Sequence, residues 1–197
     1  TGVAKAAPDG YTLLLWGGAL WIAPLFEEAP YDAVRDFAPI APLTRSPYLL
    51  VVHPGLPVRT VADLVKLAKA KSGELNASSG PTGSSSHIAL ELFKSMAGVN
   101  IVRISYKGGT QDTTDLLSGQ LQMTFGSGTS AGPHIKTGKM RAIATTGSKR
   151  SVFFPDFPTV AETLPGFVTE SLVAFFAPAK PPDAIVRRLN QEPIHAI

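Results

Sequence analysis

The chain has 197 residues, 44% hydrophobic and 17% charged, a globular balance that excludes intrinsic disorder and can bury one good core or two small ones. Its 18 basic and 15 acidic residues leave a net charge of +3, spread in pairs such as Lys149-Arg150 and Arg187-Arg188, with no basic stripe interleaved with aromatics of the kind that binds nucleic acid. Cysteine is absent, which excludes a disulfide framework, a thiolate metal site and a Cys nucleophile.

In chain order, "PDG" at 8–10 is a turn, and "YTLLLW" after it reads as a buried strand broken by Gly17-Gly18. The apolar run over 11–26 has 16 residues with two glycines and Pro24 inside it, short of the roughly 20 that a spanning helix needs, so its second half reads as a short helix. The opening "TGVAKAAPDG" has neither an initiator Met nor a signal-peptide core, as expected if any targeting segment was removed or never included. Prolines 39, 42, 47, 54 and 57 mark the next extended segments as crossover or edge strands, because proline cannot donate to a central ladder.

"TVAD" at 60–63 has the form of a capping box, and Val61, Leu64, Val65 and Ala68 follow at helical spacing until Gly73. A second helix follows "SSGPTGSSSH", with Ile88, Ala89, Leu92, Phe93 and Met96 expected on its inner face and Gly98 beyond its end. Strands are predicted at 100–106, 121–125 and 140–146, with a helix at 110–119. Thr159 caps a turn toward Glu162, "SLVAFFAP" is a strand, and "PPDAIVRRLN" is a helix opened by proline. Strands alternating with helices give an α/β fold with a mainly parallel sheet, divided into residues 51–146 as one lobe and residues 1–50 with 147–197 as the other.

Three strand-end loops share one character. Ser84, Ser85 and Ser86 stand at a helix entrance, where unpaired N–H groups and the macrodipole form an anion cradle; an ordinary serine cap after a flexible loop is the competing reading. "SYKGGTQD" places Lys107 in a glycine turn, facing either an anion or solvent, and "FGSGTSAGPHI" repeats the strand-then-glycine order. Loops of this kind converge at the carboxyl edge of a parallel sheet, where open α/β folds bind ligands.

Residues 128–132 also satisfy G-x-S-x-G, the pattern of a hydrolase elbow, with Ser130 as nucleophile and Asp156 or Asp183, then His195, as the later triad members. Against a serine ester hydrolase stand Pro133, which disfavours helical backbone at Gly132, and the position of His195 near the chain end. "GPHIKTGKM" fails the P-loop pattern, no G-x-G-x-x-G follows a strand, and His53, His87, His134 and His195 lack metal-site spacing. No cofactor or metal is therefore expected.

Six stretches in order, "AAPDGYTLLL", "YDAVRDFAPIAPL", "SSGPTGSSSHIALELFKSMAGVNIVRISYKGG", "DLLSGQLQMTF", "PHIKTGKMRAIATT" and "KRSVFFPDFPTVAE", span nearly the whole chain. Together they resemble the extracytoplasmic substrate-binding component of the tripartite tricarboxylate transporters, the Bordetella uptake protein family. The resemblance implies a periplasmic-binding-protein fold of two α/β lobes joined by crossover strands, capture of a small carboxylate-bearing metabolite, delivery to a membrane permease, a periplasmic location and no chemistry on the ligand. Carried over residue by residue, its binding loops fall on Gly83, Ser84, Ser85 and Ser86, on Tyr106, Lys107 and Gly108, and on Ser127, Thr129 and Ser130, with Gly17 and Gly18 from the other lobe. Family members carry a further strand, loop, helix and strand ahead of the position of Thr1, so the resemblance implies an N-terminally truncated, incomplete first lobe, either covered by a second copy in a homo-oligomer or belonging to a fragment with altered behaviour. Pro193 curtails the family's last helix, and "FGSG" lacks the acidic residue that commonly follows the phenylalanine, removing a partner for a ligand amine or hydroxyl.

Overall fold

In a computed structural model, which describes residues 2–107 and 110–195, the chain forms two compact α/β units. One comprises residues 46–170, and the other joins the described residues up to Arg45 to those from Ser171 onward. The divisions fall at 45/46 and 170/171 rather than at 50/51 and 146/147. Residues 46–50 and 147–170 go with the central unit because Leu49 and Leu50 open one of its interior strands and Val160 and Phe167 are fully buried in its core.

The flanking unit contains β1 (Leu14–Gly17), α1 (Ala19–Ile22) and β2 (Phe37–Pro47), and after the central unit β8 (Glu170–Pro178) and α6 (Asp183–His195), with strand order β1-β8-β2. The prolines of β2 therefore lie on an edge strand, as their missing N–H groups require. β1 is also an edge strand, antiparallel to β8 with Leu14 opposite Phe176, and Leu15 and Trp16 are about half exposed. Among the described residues, β1 is therefore not the buried strand expected. Leu20, Phe37 and Phe176 form one small core, while Ile40, Ala41 and Ala177 form another beside α6, where Asn190 Nδ2 donates to the Ile40 carbonyl at 2.7 Å. α6 continues through Pro193 to His195 rather than stopping before it.

The central unit contains β3 (Leu49–Val52), α2 (Val61–Ala70), β4 (Asn76–Ser79), α3 (Ser85–Ala97), β5 (Val102–Ser105), α4 (Gln111–Leu117), β6 (Met123–Gly126), α5 (Gly128–Lys136) and β7 (Arg141–Thr145). The strand order is β5-β4-β6-β3-β7, with β4 parallel to β5 and β6, and β3 antiparallel to both β6 and β7. The sheet is thus mixed but mainly parallel, with four of its five strands running one way; β3 alone reverses, and its polarity depends on partners far away in sequence.

β3 explains the packing of both faces. Its side chains alternate, so Leu50 and Val52 join α2 and α3 residues in one core, while Leu49 and Val51 join Leu116 of α4 and Ala131 of α5 in the other. All four are at most 1% exposed, and each such burial contributes about 1.5–3 kcal/mol. Phe93, Phe125 and Phe167 pack with centroids 6.0–6.3 Å apart in the first core.

The capping box of α2 forms as its sequence implies: Asp63 N–H donates to Thr60 Oγ1 at 3.1 Å and Thr60 N–H to Asp63 Oδ2 at 3.0 Å. α3 ends at Gly98 in a left-handed conformation, but its buried stripe is His87, Ala89, Leu90, Phe93 and Ala97. Met96, expected inside, is 37% exposed, because the helix turns Leu90 rather than Leu92 fully into the core.

Thr146 ties the start of β3 to the segment before β8. Its hydroxyl accepts from Tyr48 N–H at 2.8 Å and donates to the Thr169 carbonyl at 2.6 Å, while its own N–H donates to the Tyr48 carbonyl. Thr146→Val keeps the shape but leaves the Tyr48 N–H without that acceptor, so unfolding stability should fall by about 1–3 kcal/mol. Urea denaturation should show a lower midpoint at unchanged slope.

Candidate functional site

Because β7 and β6 are both antiparallel to β3, they share a direction with β4 and β5. The carboxyl ends of these four strands therefore lie along one edge of the central sheet. A sequence reading finds three of the loops there; the fourth, after β7 and containing Lys149 and Arg150, has no glycine-serine signature to reveal it. Arg150 is engaged with Glu162 through a two-point pair, Nε to Oε1 at 3.1 Å and Nη2 to Oε2 at 3.0 Å.

The loop from β4 to α3 is closed by its own hydrogen bonds. Gly80 N–H donates to Ser86 Oγ at 3.0 Å, and His87 N–H donates to Ser84 Oγ at 3.3 Å, the expected cap of the third helical N–H. Gly83 has φ of 79°, which side chains disfavour, and its N–H donates to His87 Nδ1 at 3.1 Å. That bond requires Nδ1 to be unprotonated, so the neutral imidazole carries its proton on Nε2. Ser85 and Ser86 occupy the first two helical positions, where no intrahelical carbonyl reaches their N–H groups.

The adjacent β6 repeats the arrangement. Ser127 Oγ accepts from Ser130 N–H at 3.2 Å and lies 2.9 Å from both Thr129 Oγ1 and Ser130 Oγ. Gly128 and Thr129 are the first two residues of α5, so their N–H groups match those of Ser85 and Ser86. A side chain at position 128 would put Cβ 2.8 Å from the Phe154 ring, so the glycine is there for the close approach of that ring. β4 and β6 are parallel neighbours, and α3 and α5 leave their carboxyl ends toward opposite faces of the sheet, so both positive helix ends lie at this one edge, where the chain departs to either side.

The third loop is anchored differently. Tyr106 OH donates to Asp115 Oδ2 at 2.6 Å, and Gln111 Nε2 donates to Asp115 Oδ1 at 3.1 Å, which commits the phenol to α4. Burial, reinforced by that carboxylate, pushes the Tyr106 pKa up to about 12. Lys107 is exposed, and Gly108 lies outside the described residues. In the flanking unit, Gly17 ends β1 with Leu172 O 3.2 Å from where its Cβ would be, and Gly18 accepts from the Trp21 and Ile22 N–H groups at the start of α1.

Serine-capped helix ends, glycine approach and strand polarity together suit a small anion. A sequence profile described as "Tripartite tricarboxylate transporter family receptor" matches residues 1–196. The chain belongs to this family. This family member is 35% identical over 191 residues to a UPF0065 protein of Bordetella bronchiseptica, covering 96% of this chain and 56% of the relative. It is 34% identical over 192 residues to Protein BugT of Bordetella pertussis, covering 95% and 59%. The chain thus spans a little over half the length of these curated relatives.

Among solved structures, it is similar to R. palustris Rpa4515 with adipate, at TM-score 0.91 and 35% identity over 98% of this chain and 65% of that one. It is also similar to MatC from Rhodopseudomonas palustris with bound malate, at TM-score 0.87 and 29% identity over 99% and 67%, respectively. The periplasmic binding protein BugD gives TM-score 0.85 and 29% identity over 95% and 63%.

The hydrolase reading loses its geometry. Pro133, expected to oppose a helix at Gly132, lies inside α5, which runs on to Lys136 without that N–H, and Ala131 buries its side chain in the core beside it. Ser130 is the third residue of that helix, whereas an elbow nucleophile sits on the strand-to-helix turn itself. Its hydroxyl donates to the Ser127 carbonyl at 3.2 Å, and among the described residues no imidazole hydrogen-bonds to it. Asp183 opens α6 in the flanking unit, and the His195 side chain lies outside the described residues.

His87 is 7% exposed, and burial first, then the charge of Arg103, hold its pKa below the ordinary value; Lys94 adds to this and Glu91 opposes it. Between the lowered folded value and about 6.5 in the unfolded chain, only the unfolded state takes up the proton. The stabilisation is therefore present above about pH 6.5 and is lost as pH falls through the folded value. Denaturant titrations should show this loss in the native chain and a shallower dependence over the same window in His87→Gln.

Proposed function

We propose that this chain is the ligand-capturing part of an extracytoplasmic solute receptor, which takes a small carboxylate-bearing metabolite in the periplasm and passes it to the membrane permease of a tripartite tricarboxylate-type transporter. The observation that carries this reading is the pair of serine-capped helix ends on the adjacent parallel strands β4 and β6. A carboxylate has two acceptor oxygens, and two N–H pairs beside two positive helix ends match that count. Family membership supports the reading, as do adipate in one similar structure and malate in another.

In this reading the N–H groups of Ser85, Ser86, Gly128 and Thr129 donate to the ligand, with hydroxyls of Ser84, Ser86, Ser127, Thr129 and Ser130 supplementing them. Gly83 shapes the first loop, Tyr106 fixes the third, and Lys107 adds charge near it. Gly17 and Gly18 are assigned to binding on the family pattern alone. Binding ends in release of an unchanged ligand, since backbone donors and hydroxyls stabilise an anion without supplying a nucleophile and base.

Isothermal titration with adipate, malate and citrate tests the proposal: at least one should bind, and a folded protein that gives no heat with any of them overturns it. Ser85→Pro is the sharper variant, because proline at the first helical position deletes one N–H while keeping helical backbone. Loss of one hydrogen bond to a charged ligand should weaken affinity by about tenfold or more. The thermal midpoint should remain near that of the native chain.

A further inference from the structure

Arg103 is placed against ordinary electrostatic preference. It projects from the edge strand β5 opposite Ala77 of β4, on the face where Ala77 packs with α3. Its Nε donates to Ser79 Oγ at 2.7 Å, and its Nη2 donates to the Gly80 carbonyl at 3.0 Å and to Ser105 Oγ at 3.3 Å. The Gly80 N–H in turn donates to Ser86 Oγ, so two hydrogen-bonding steps connect the guanidinium to the first turn of α3. Cations are disfavoured at a helix N-terminus. Yet all of these acceptors are neutral, and among the described residues no carboxylate forms an ion pair with Arg103. Burial first, and then this charge, hold the pKa of the neighbouring His87 below its ordinary value.

An arginine needed only to tie a loop would be stabilised by an acidic partner. Here the charge is left uncompensated beside a dipole of the same sign, the kind of local conflict that persists when function requires it. An anion arriving at the helix end would resolve both conflicts together.

We propose that Arg103 is the positioning residue of the 80–87 loop and the source of its anion selectivity: its fork holds the Gly80 carbonyl so that the Ser85 and Ser86 N–H groups face the ligand, and its charge is balanced only when a carboxylate occupies the cradle. This rests on the carboxylate-receptor reading for its ligand, but not for the loop and charge placement. Lysine cannot replace the fork, although it can replace the charge.

The test compares the native chain with Arg103→Lys and Arg103→Met. Without ligand, the His87 imidazole is titrated by NMR and amide exchange is followed at Gly80 and Gly83. Arg103→Met should raise the His87 pKa and Arg103→Lys should leave it near the native value, while both should speed exchange in the loop. An unmoved His87 titration in Arg103→Met, or native exchange in Arg103→Lys, overturns the inference even if no carboxylate binds and the receptor reading fails. With adipate, Arg103→Met should weaken binding by about tenfold or more and flatten its salt dependence, as loss of a nearby charge predicts. Arg103→Lys should retain most of the salt dependence with weaker affinity. Native affinity and native salt dependence in Arg103→Met would overturn the selectivity role. If Arg103→Met does not fold, Arg103→Gln takes its place, keeping a hydrogen-bonding head without charge.

Discussion

The arrangement of the carboxyl edge depends on the pairing of β4 with β6. These strands are far apart in sequence but run side by side in the same direction, and Ser78 Oγ lies 2.6 Å from Thr124 Oγ1 where Ser78 and Thr124 are register partners. Both side chains are buried, so each hydroxyl needs the other or another partner to avoid the cost of an unsatisfied polar group. A register slip of one residue would exchange the faces of β4 and put the Ser78 hydroxyl into the aliphatic core around Phe93. The buried pair thus fixes, from beneath, the relative height at which α3 and α5 begin.

That constraint explains the two matching caps. Each strand ends, the chain turns through small residues, and a serine takes the third N–H of the following helix, leaving two donors open. The two turns reach this state by different means. The first uses a left-handed Gly83 held by His87 Nδ1, and the second uses a glycine that leaves room for Phe154. Similar donor geometry from unlike side-chain solutions places the repetition in the strand polarity and not in a duplicated sequence.

Local signals were legible where chemistry is local. The Thr60-Asp63 capping box, the Ser84 cap, the glycine end of α3 and the edge position of proline-rich β2 follow from residue types within a few positions of one another. What was not legible depends on distant partners. "YTLLLW" has the composition of a buried strand, yet among the described residues β1 pairs with β8 alone and Leu15 and Trp16 are half exposed. The reversal of β3 and the inner stripe of α3 are decided by what packs against them. Pro133 illustrates a different limit: the ring forbids one hydrogen bond, but packing of Ala131 against Leu116 and Met140 keeps the helix. The three glycine-serine loops were visible as candidates, while Arg103 was hidden in a strand whose alternation alone does not say that its guanidinium reaches the Gly80 carbonyl.

The balance of charge at this edge bears on how a receptor of the proposed kind would work. The donors at the two caps are neutral, so each contributes modestly, and the helix dipoles fall off within a turn. An acidic group beside Arg103 would satisfy the guanidinium in the absence of ligand and would compete with any arriving anion. Leaving the charge on neutral acceptors makes the empty loop less favourable and the occupied one more so, which increases the difference between the two states rather than the stability of either. In the proposed receptor that difference would favour capture, while a charge acting without a direct ion pair to the ligand would still leave room for release to a permease. Tight capture by a direct two-point salt bridge would slow the same release, because most of the strength of such a bond appears in the dissociation rate.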